Sequence, residues 1–206
     1  MMRIDKSQKF DQYYSSLTNR FLFRWVDHAK RSVLATAFGE RAGIKILDLG
    51  CGAGAVSNIL IPRHRVFGVD HDAGILEQAK ANGLETAVGA LDAVPFEDGF
   101  FDAVVMIDSI EHVPSRERAF SEVKRVLRPD GALVLITPAY DNPLWNLGEW
   151  FGLLASGRKE SGHVSPFTAE SLRFFLARDY SDIQIGRLNF TMWLYGVARL
   201  QASKAA

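Results

Sequence analysis

The stretch ILDLGCGAG, residues 46–54, decides how the chain is read. An apolar run carries one acid, Asp48, ends on Leu49, and passes into Gly50, Gly52 and Gly54 at every second position. A strand that runs into such a turn lets backbone approach a ligand closely. Working outward, residues 65–69 (RVFGV), 84–88 (LETAV), 101–107 (FDAVVMI) and 132–137 (ALVLIT) are also short and rich in Val, Ile and Leu, as is 44–49 itself. Between them, 72–82 (DAGILEQAKAN) and 115–127 (SRERAFSEVKRVL) have helical spacing. Strands alternating with helices predict an α/β fold, a mostly parallel sheet with helices on both faces. The glycines should close the first strand and open the first helix. Asp72 and Ser115 suit helix N-caps, and Pro129, Asp130 and Gly131 should stop the second helix and turn the chain into a strand. Residues 190–200 (FTMWLYGVARL) read as the last strand, antiparallel at the sheet's edge.

With 206 residues, 48% hydrophobic and 23% charged, the chain suits one domain with a good core. Lys plus Arg equals Asp plus Glu at 24 each, so no excess charge draws in nucleic acid. The single cysteine, Cys51, fits a reducing compartment. The start, MMRIDKSQKFDQYY, lacks the apolar core of a secretory signal, and no run approaches a membrane span. A cytoplasmic protein without stable membrane insertion is expected, and the oligomeric state stays open. Phe10, Tyr14, Leu17, Phe21, Trp25 and His28 recur at helical spacing and predict an N-terminal helical cap over 1–40. The core follows over 44–138, an irregular insertion over 140–167, and a C-terminal helix with the final strands over 168–206.

Two cofactors use such a glycine turn. A dinucleotide is satisfied by Gly50, Gly52 and Ala55, with Asp70 placed 20 residues after Gly50 to hold ribose hydroxyls. The alternative rests on more of the chain. Residues 48–54 (DLGCGAG), 89–113 (GALDAVPFEDGFFDAVVMIDSIEHV) and 124–138 (KRVLRPDGALVLITP) resemble, in order and spacing, the motifs of the class I S-adenosylmethionine-dependent methyltransferases, particularly the branch acting on small molecules. No Y-x-x-x-K, the pair of many short-chain NAD enzymes, is present.

The resemblance implies a Rossmann-like sheet of seven strands, the last antiparallel, and S-adenosylmethionine as cofactor. It implies that Asp48 accepts a hydrogen bond from the cofactor's ammonium and that Gly50, Cys51, Gly52 and Gly54 admit its methionine part and ribose. Asp70 would bind both ribose hydroxyls, and its alternative is a capping acid at the strand end. His71 would pack on the adenine edge. Ala90 stands where an acid commonly receives the adenine amino group, which leaves Leu91, through its backbone, and Asp92 for that side. Ile107, Asp108 and Ser109 would face the methionine part. Asp102 reads as a structural acid at a strand start, and Cys51 as a small residue filling the turn.

Methyl transfer needs the acceptor atom held behind the methyl, and a hydroxyl or ammonium acceptor must also lose a proton. His112 and His163 are the candidate bases, and His71 is kept as a cofactor contact. A metal set of Asp108, Asp141 and Asn142 is disfavoured, because the last two lie beyond Pro138, outside the strand end that would fix hard oxygen ligands. Residues 143–157 (PLWNLGEWFGLLASG) form an amphipathic stripe, read either as core or as a lid over an aromatic, quinone-like or lipid-like acceptor. Tyr13 and Tyr14 would close the same pocket. A cofactor-binding protein without catalysis is the rival from another class.

Overall fold

The computed structural model describes residues 17–39, 41–144 and 164–201. In chain order it contains α1 (Leu17–Phe38), β1 (Lys45–Leu49), β2 (Arg65–Asp70), α2 (Ala73–Ala81), β3 (Glu85–Val88), β4 (Phe101–Ile107), α3 (Arg116–Val126), β5 (Leu127–Pro138), α4 (Ala169–Ala177), β6 (Tyr180–Leu188) and β7 (Trp193–Leu200). The strands form one seven-stranded sheet in the order β3-β2-β1-β4-β5-β7-β6. All neighbours from β3 to β5 pair in parallel, and β7 runs antiparallel to both β5 and β6. The α/β expectation holds and β7 is antiparallel, but it does not lie at the sheet's edge: it is paired on both sides, and the half-exposed β6, joined to it as a hairpin, forms the edge instead.

Alternation along the strands assigns the two faces. Leu47, Leu49, Val104, Met106, Leu133 and Leu135 pack with Ala119, Phe120 and Val123 of α3 and Leu172 and Leu176 of α4. Ile46, Val66, Val105 and Val134 pack on the other face with Leu34 and Phe38 of α1 and Leu76 and Ala79 of α2. Asp48, two residues after Ile46, therefore points to the α1 side.

The N-caps are as read: the Asp72 carboxylate accepts from the backbone N–H of Gly74 and Ile75, and the Ser115 hydroxyl from that of Arg118. Asp102 sits at the start of β4, where it accepts from the Lys45 N–H at 2.6 Å and pairs with Arg128. Two further expectations need correction. The glycines do not open a helix: after Gly54 the chain makes turns and a short 3₁₀ segment, Ser57–Leu60. Val56, Ile59 and Ile61 are β-branched and Pro62 follows, so little in this stretch favours a regular helix. The second concerns the face of α1. Trp25 and His28 are exposed, and the buried stripe is Val26, Lys30, Leu34 and Phe38 at four-residue intervals. Phe10, Tyr13, Tyr14, His163 and most of 143–157 lie outside the described residues.

Candidate cofactor pocket and its surroundings

From β1 the chain crosses to β2 on one side, and β4 lies on the other. A crevice outside the carboxyl ends of the strands opens at such a switch point. The glycine turn lies across it. Gly50 has φ +78°, and a Cβ there would come within 2.5 Å of the Ser109 Cβ, so only glycine lets the turn close on β4. Gly52 has φ +50°, but a Cβ there would meet nothing within 4 Å: this side of the turn faces open space.

Asp48 lies 2% exposed under the turn. Its Oδ2 accepts from the Ser57 hydroxyl at 2.5 Å, whereas its Oδ1 has no partner among the described residues. Burial, with Asp70 nearby, pushes the carboxyl up to about 7 against the Ser57 hydrogen bond. At the end of β2, Asp70 Oδ2 accepts from the Gly52 N–H at 2.9 Å and its Oδ1 from the Asp72 N–H at 3.0 Å. The acid thus holds the turn, and each oxygen keeps further acceptor capacity. His71 is exposed, with Nδ1 3.2 Å from Asp70. Cys51 fills the space over Gly68, and burial pushes its thiol far above its ordinary range, which disfavours the thiolate. Leu91 packs against the Gly50 side of the turn, and Asp92 is exposed beyond it.

A cavity of about 220 Å³ lies beside this turn, lined by Asp48, Gly50, Cys51, Ala53, Ala55, Val56, Ile107, Asp108, Asp27, Lys30 and Trp193. Sequence reasoning anticipated Asp48, Gly50, Cys51, Ile107 and Asp108. It missed the wall made by α1 and β7. Lys30, 5% exposed, pairs with Asp108 Oδ2, and the Trp193 indole donates to Asp108 Oδ1 at 3.0 Å. Asp108 has φ +49°, a strained conformation for a residue with a Cβ, held by its N–H on the Ile136 carbonyl and by these two side chains. Burial raises the Asp27 carboxyl, and Lys30 and Arg31 oppose that shift. The Arg31 guanidinium donates to the Ala55 carbonyl at 2.5 Å, tying α1 to the loop after the glycines.

Of the histidines, His112 sits exposed on the 3₁₀ turn Ile110–His112 and does not line the cavity. The structure does not assemble the metal set either. Asp141 pairs with Arg187 at 2.7 Å, and Asn142 is buried, donating to Thr191 Oγ1 and the Phe190 carbonyl. Among the described residues, no three His, Cys, Asp or Glu side chains are placed to hold a metal ion. The sequence reading also passed over Glu111, which is 1% exposed. Its carboxylate accepts from the Thr137 hydroxyl at 3.1 Å, and its carbonyl from the N–H groups of Val164 and Ser165, where the chain returns from the insertion. Burial and the neighbouring Asp108 push Glu111 up to about 8. Because the folded state prefers the protonated acid, Glu111 costs stability as pH rises from its ordinary range toward 8, at up to about 1.4 kcal/mol per unit. Glu111→Gln is expected to flatten that slope in urea unfolding between pH 6 and 9; an unchanged slope refutes the shift.

An open parallel sheet with a glycine turn, a buried acid and a strand-end acid at its switch point defines a nucleotide-cofactor α/β domain. Residues 47–135 match the family described as a methyltransferase domain. The demethylmenaquinone methyltransferase of Beutenbergia cavernae is 33% identical over 144 residues, 68% of this chain and 57% of that protein. The sterol 24-C-methyltransferase of Gibberella zeae is 34% identical over 123 residues, 53% of this chain and 32% of that protein. A SAM-dependent methyltransferase structure from Thermotoga maritima superposes with a TM-score of 0.75 at 14% identity, covering 95% of this chain and 96% of the other, and so shares the fold. The chain spans less than two thirds of the length of these two relatives. Through this core the chain carries a methyltransferase domain on the class I fold, and that match implies S-adenosylmethionine as the cofactor. The residues present fit that group: Asp48 Oδ1, without a partner among the described residues, suits an ammonium, and the space beside Gly52 suits a ligand lying against backbone.

Proposed function

We propose that this chain transfers the methyl of S-adenosylmethionine to a small acceptor with an aromatic or lipid-like body. The observation that carries the acceptor class is the aromatic wall. Trp193 lines the cavity, and Trp25 and Phe190, 50% and 73% exposed, pair with ring centroids 5.3 Å apart beside the turn that leads into Trp193. Phe190 is presented by three successive non-glycine residues of positive φ, Asn189, Phe190 and Thr191, pinned by the buried Asn142. The names of the sterol and demethylmenaquinone relatives favour the same class.

Bound S-adenosylmethionine supplies a methyl already activated on a sulfonium. What the chain adds is placement: the glycine turn, Asp48 and Asp70 hold the cofactor, and the aromatic wall holds the acceptor behind the methyl, an arrangement worth about 7–11 kcal/mol of barrier when complete. For an acceptor that must lose a proton, His112, four residues after Asp108, is the described histidine to test, and His163 the other candidate. No nucleic-acid acceptor is proposed, given the balanced charge.

The test is release of S-adenosylhomocysteine across naphthoquinols, sterols, phenols and polar amines. Apolar acceptors are expected to exceed polar amines in kcat/KM by at least about tenfold. Faster turnover of polar amines rejects the acceptor class, and cofactor binding without turnover on any acceptor favours the non-catalytic reading. In the same assay, a kcat loss beyond about a hundredfold in His112→Ala marks it as the base, and a smaller loss as a structural residue.

A further inference from the structure

The exposed His112 does not line the cavity, so it leaves the proton acceptor of the reaction open. Three carboxyl groups do line it, those of Asp27, Asp48 and Asp108. Two of them are engaged by protein donors: Asp108 by Lys30 and the Trp193 indole, Asp48 by the Ser57 hydroxyl. Asp27 is part-buried, and no hydrogen bond reaches its carboxyl among the described residues. Along α1 it falls between Trp25, whose ring meets Phe190, and Lys30, which shares its face three residues on. It therefore stands where the charged part of the cavity gives way to the aromatic wall. Burial raises its carboxyl, Lys30 and Arg31 on its own helix pull it back down, and Asp108 at the end of β4 adds to the rise. A carboxylate taken partly out of water is a stronger base than a solvated one, and this one holds no turn or strand that would occupy it.

We propose that Asp27 is the general base for a hydroxyl-bearing acceptor. It takes the hydroxyl proton onto a carboxylate oxygen as the O–C bond to the methyl forms and the C–S bond breaks, that bond's electron pair going to sulfur. The proton then leaves Asp27 to water at the cavity mouth before the next turnover. The assignment rests on the acceptor reading above, since an acceptor seated on Trp25, Phe190 and Trp193 brings its reactive end to this part of α1. Lys30 and Arg31 stabilise the ionised base without donating to it, because Lys30 is committed to Asp108 and Arg31 to the Ala55 carbonyl.

The experiment measures methyl transfer to a series of phenols, from unsubstituted phenol to 4-nitrophenol, by wild type and Asp27→Asn, with calorimetric binding of S-adenosylhomocysteine to both proteins. On unsubstituted phenol the variant is expected to lose at least about a hundredfold in kcat, the loss that follows removal of a general base. The loss should shrink below about tenfold on 4-nitrophenol at pH 8.5, because that acceptor arrives already ionised. Wild-type kcat on phenol should fall with decreasing pH as Asp27 is protonated, and the variant should lack that limb. Affinity for S-adenosylhomocysteine should stay within about threefold of wild type, which also shows that the variant is folded. A loss equal across the phenols overturns the assignment and makes Asp27 a wall residue, and a parallel loss of S-adenosylhomocysteine affinity overturns it in favour of the cofactor site. A variant with wild-type kcat on phenol overturns it too. If wild type methylates naphthoquinols or sterols but no phenol, the base assignment alone fails; if it methylates none of these, the acceptor reading fails and the assignment with it.

Discussion

Asp48→Asn is expected to bind S-adenosylhomocysteine at least about a hundredfold more weakly than wild type at pH 8, and to lose the pH dependence that wild type shows below 7. The carboxyl is buried and one oxygen has no partner among the described residues, so a ligand ammonium there meets an anion in a low-dielectric site. A charge-assisted hydrogen bond of that kind contributes about 1.5–3 kcal/mol, and leaving the ammonium opposite a neutral amide adds a desolvation cost. The pH dependence follows from burial having raised Asp48 to about 7. Below that value the free protein holds a proton that the ammonium must displace, so affinity should fall by up to about tenfold per unit between pH 7 and 5.5, with uptake of ligand releasing a proton. Above 7 the carboxylate is already ionised and the curve flattens. Calorimetry in buffers of different ionisation heat measures both quantities. A flat wild-type profile, or an asparagine variant that binds as wild type, removes Asp48 from the ammonium.

What was legible beforehand divides along physical lines. Strands buried on both faces are written as runs of Val, Ile and Leu, and Asp72 and Ser115 cap helices through contacts two or three residues away; such signals are local. The grouping of the glycine turn, Asp48 and Asp70 at one end of the sheet was legible because the order strand, turn, next strand fixes it. Lys30 and Glu111 were not. On a helix bearing Arg24, His28 and Arg31, a lysine reads as solvent-facing until the fold brings Asp108, 78 residues on, against it. Glu111 stands next to the more conspicuous His112, and only Thr137 and the returning backbone at Val164 and Ser165 bury it. The face of α1 was misassigned for a related reason. Trp25 looks like core, but on this helix it faces outward and packs, tilted, against Phe190.

Asp70→Ala is expected to weaken S-adenosylhomocysteine binding by at least about tenfold, and the structure makes that loss ambiguous by itself. The carboxylate serves the turn, accepting from Gly52 and Asp72, so removing it frees two backbone N–H groups even before a ligand arrives. A ribose diol would use the remaining acceptor capacity of the same two oxygens. The two roles separate in a double-mutant cycle, with 5′-methylthioadenosine and its 2′-deoxy analogue as ligands and wild type and Asp70→Ala as proteins. If Asp70 holds the ribose, wild type should favour the hydroxylated ligand by about tenfold and the variant should not discriminate, because the group that reads the hydroxyl is gone. If Asp70 only braces the turn, the variant should lose affinity for both ligands alike and keep the same preference. Unchanged affinity for both would remove the acid from the cofactor site altogether.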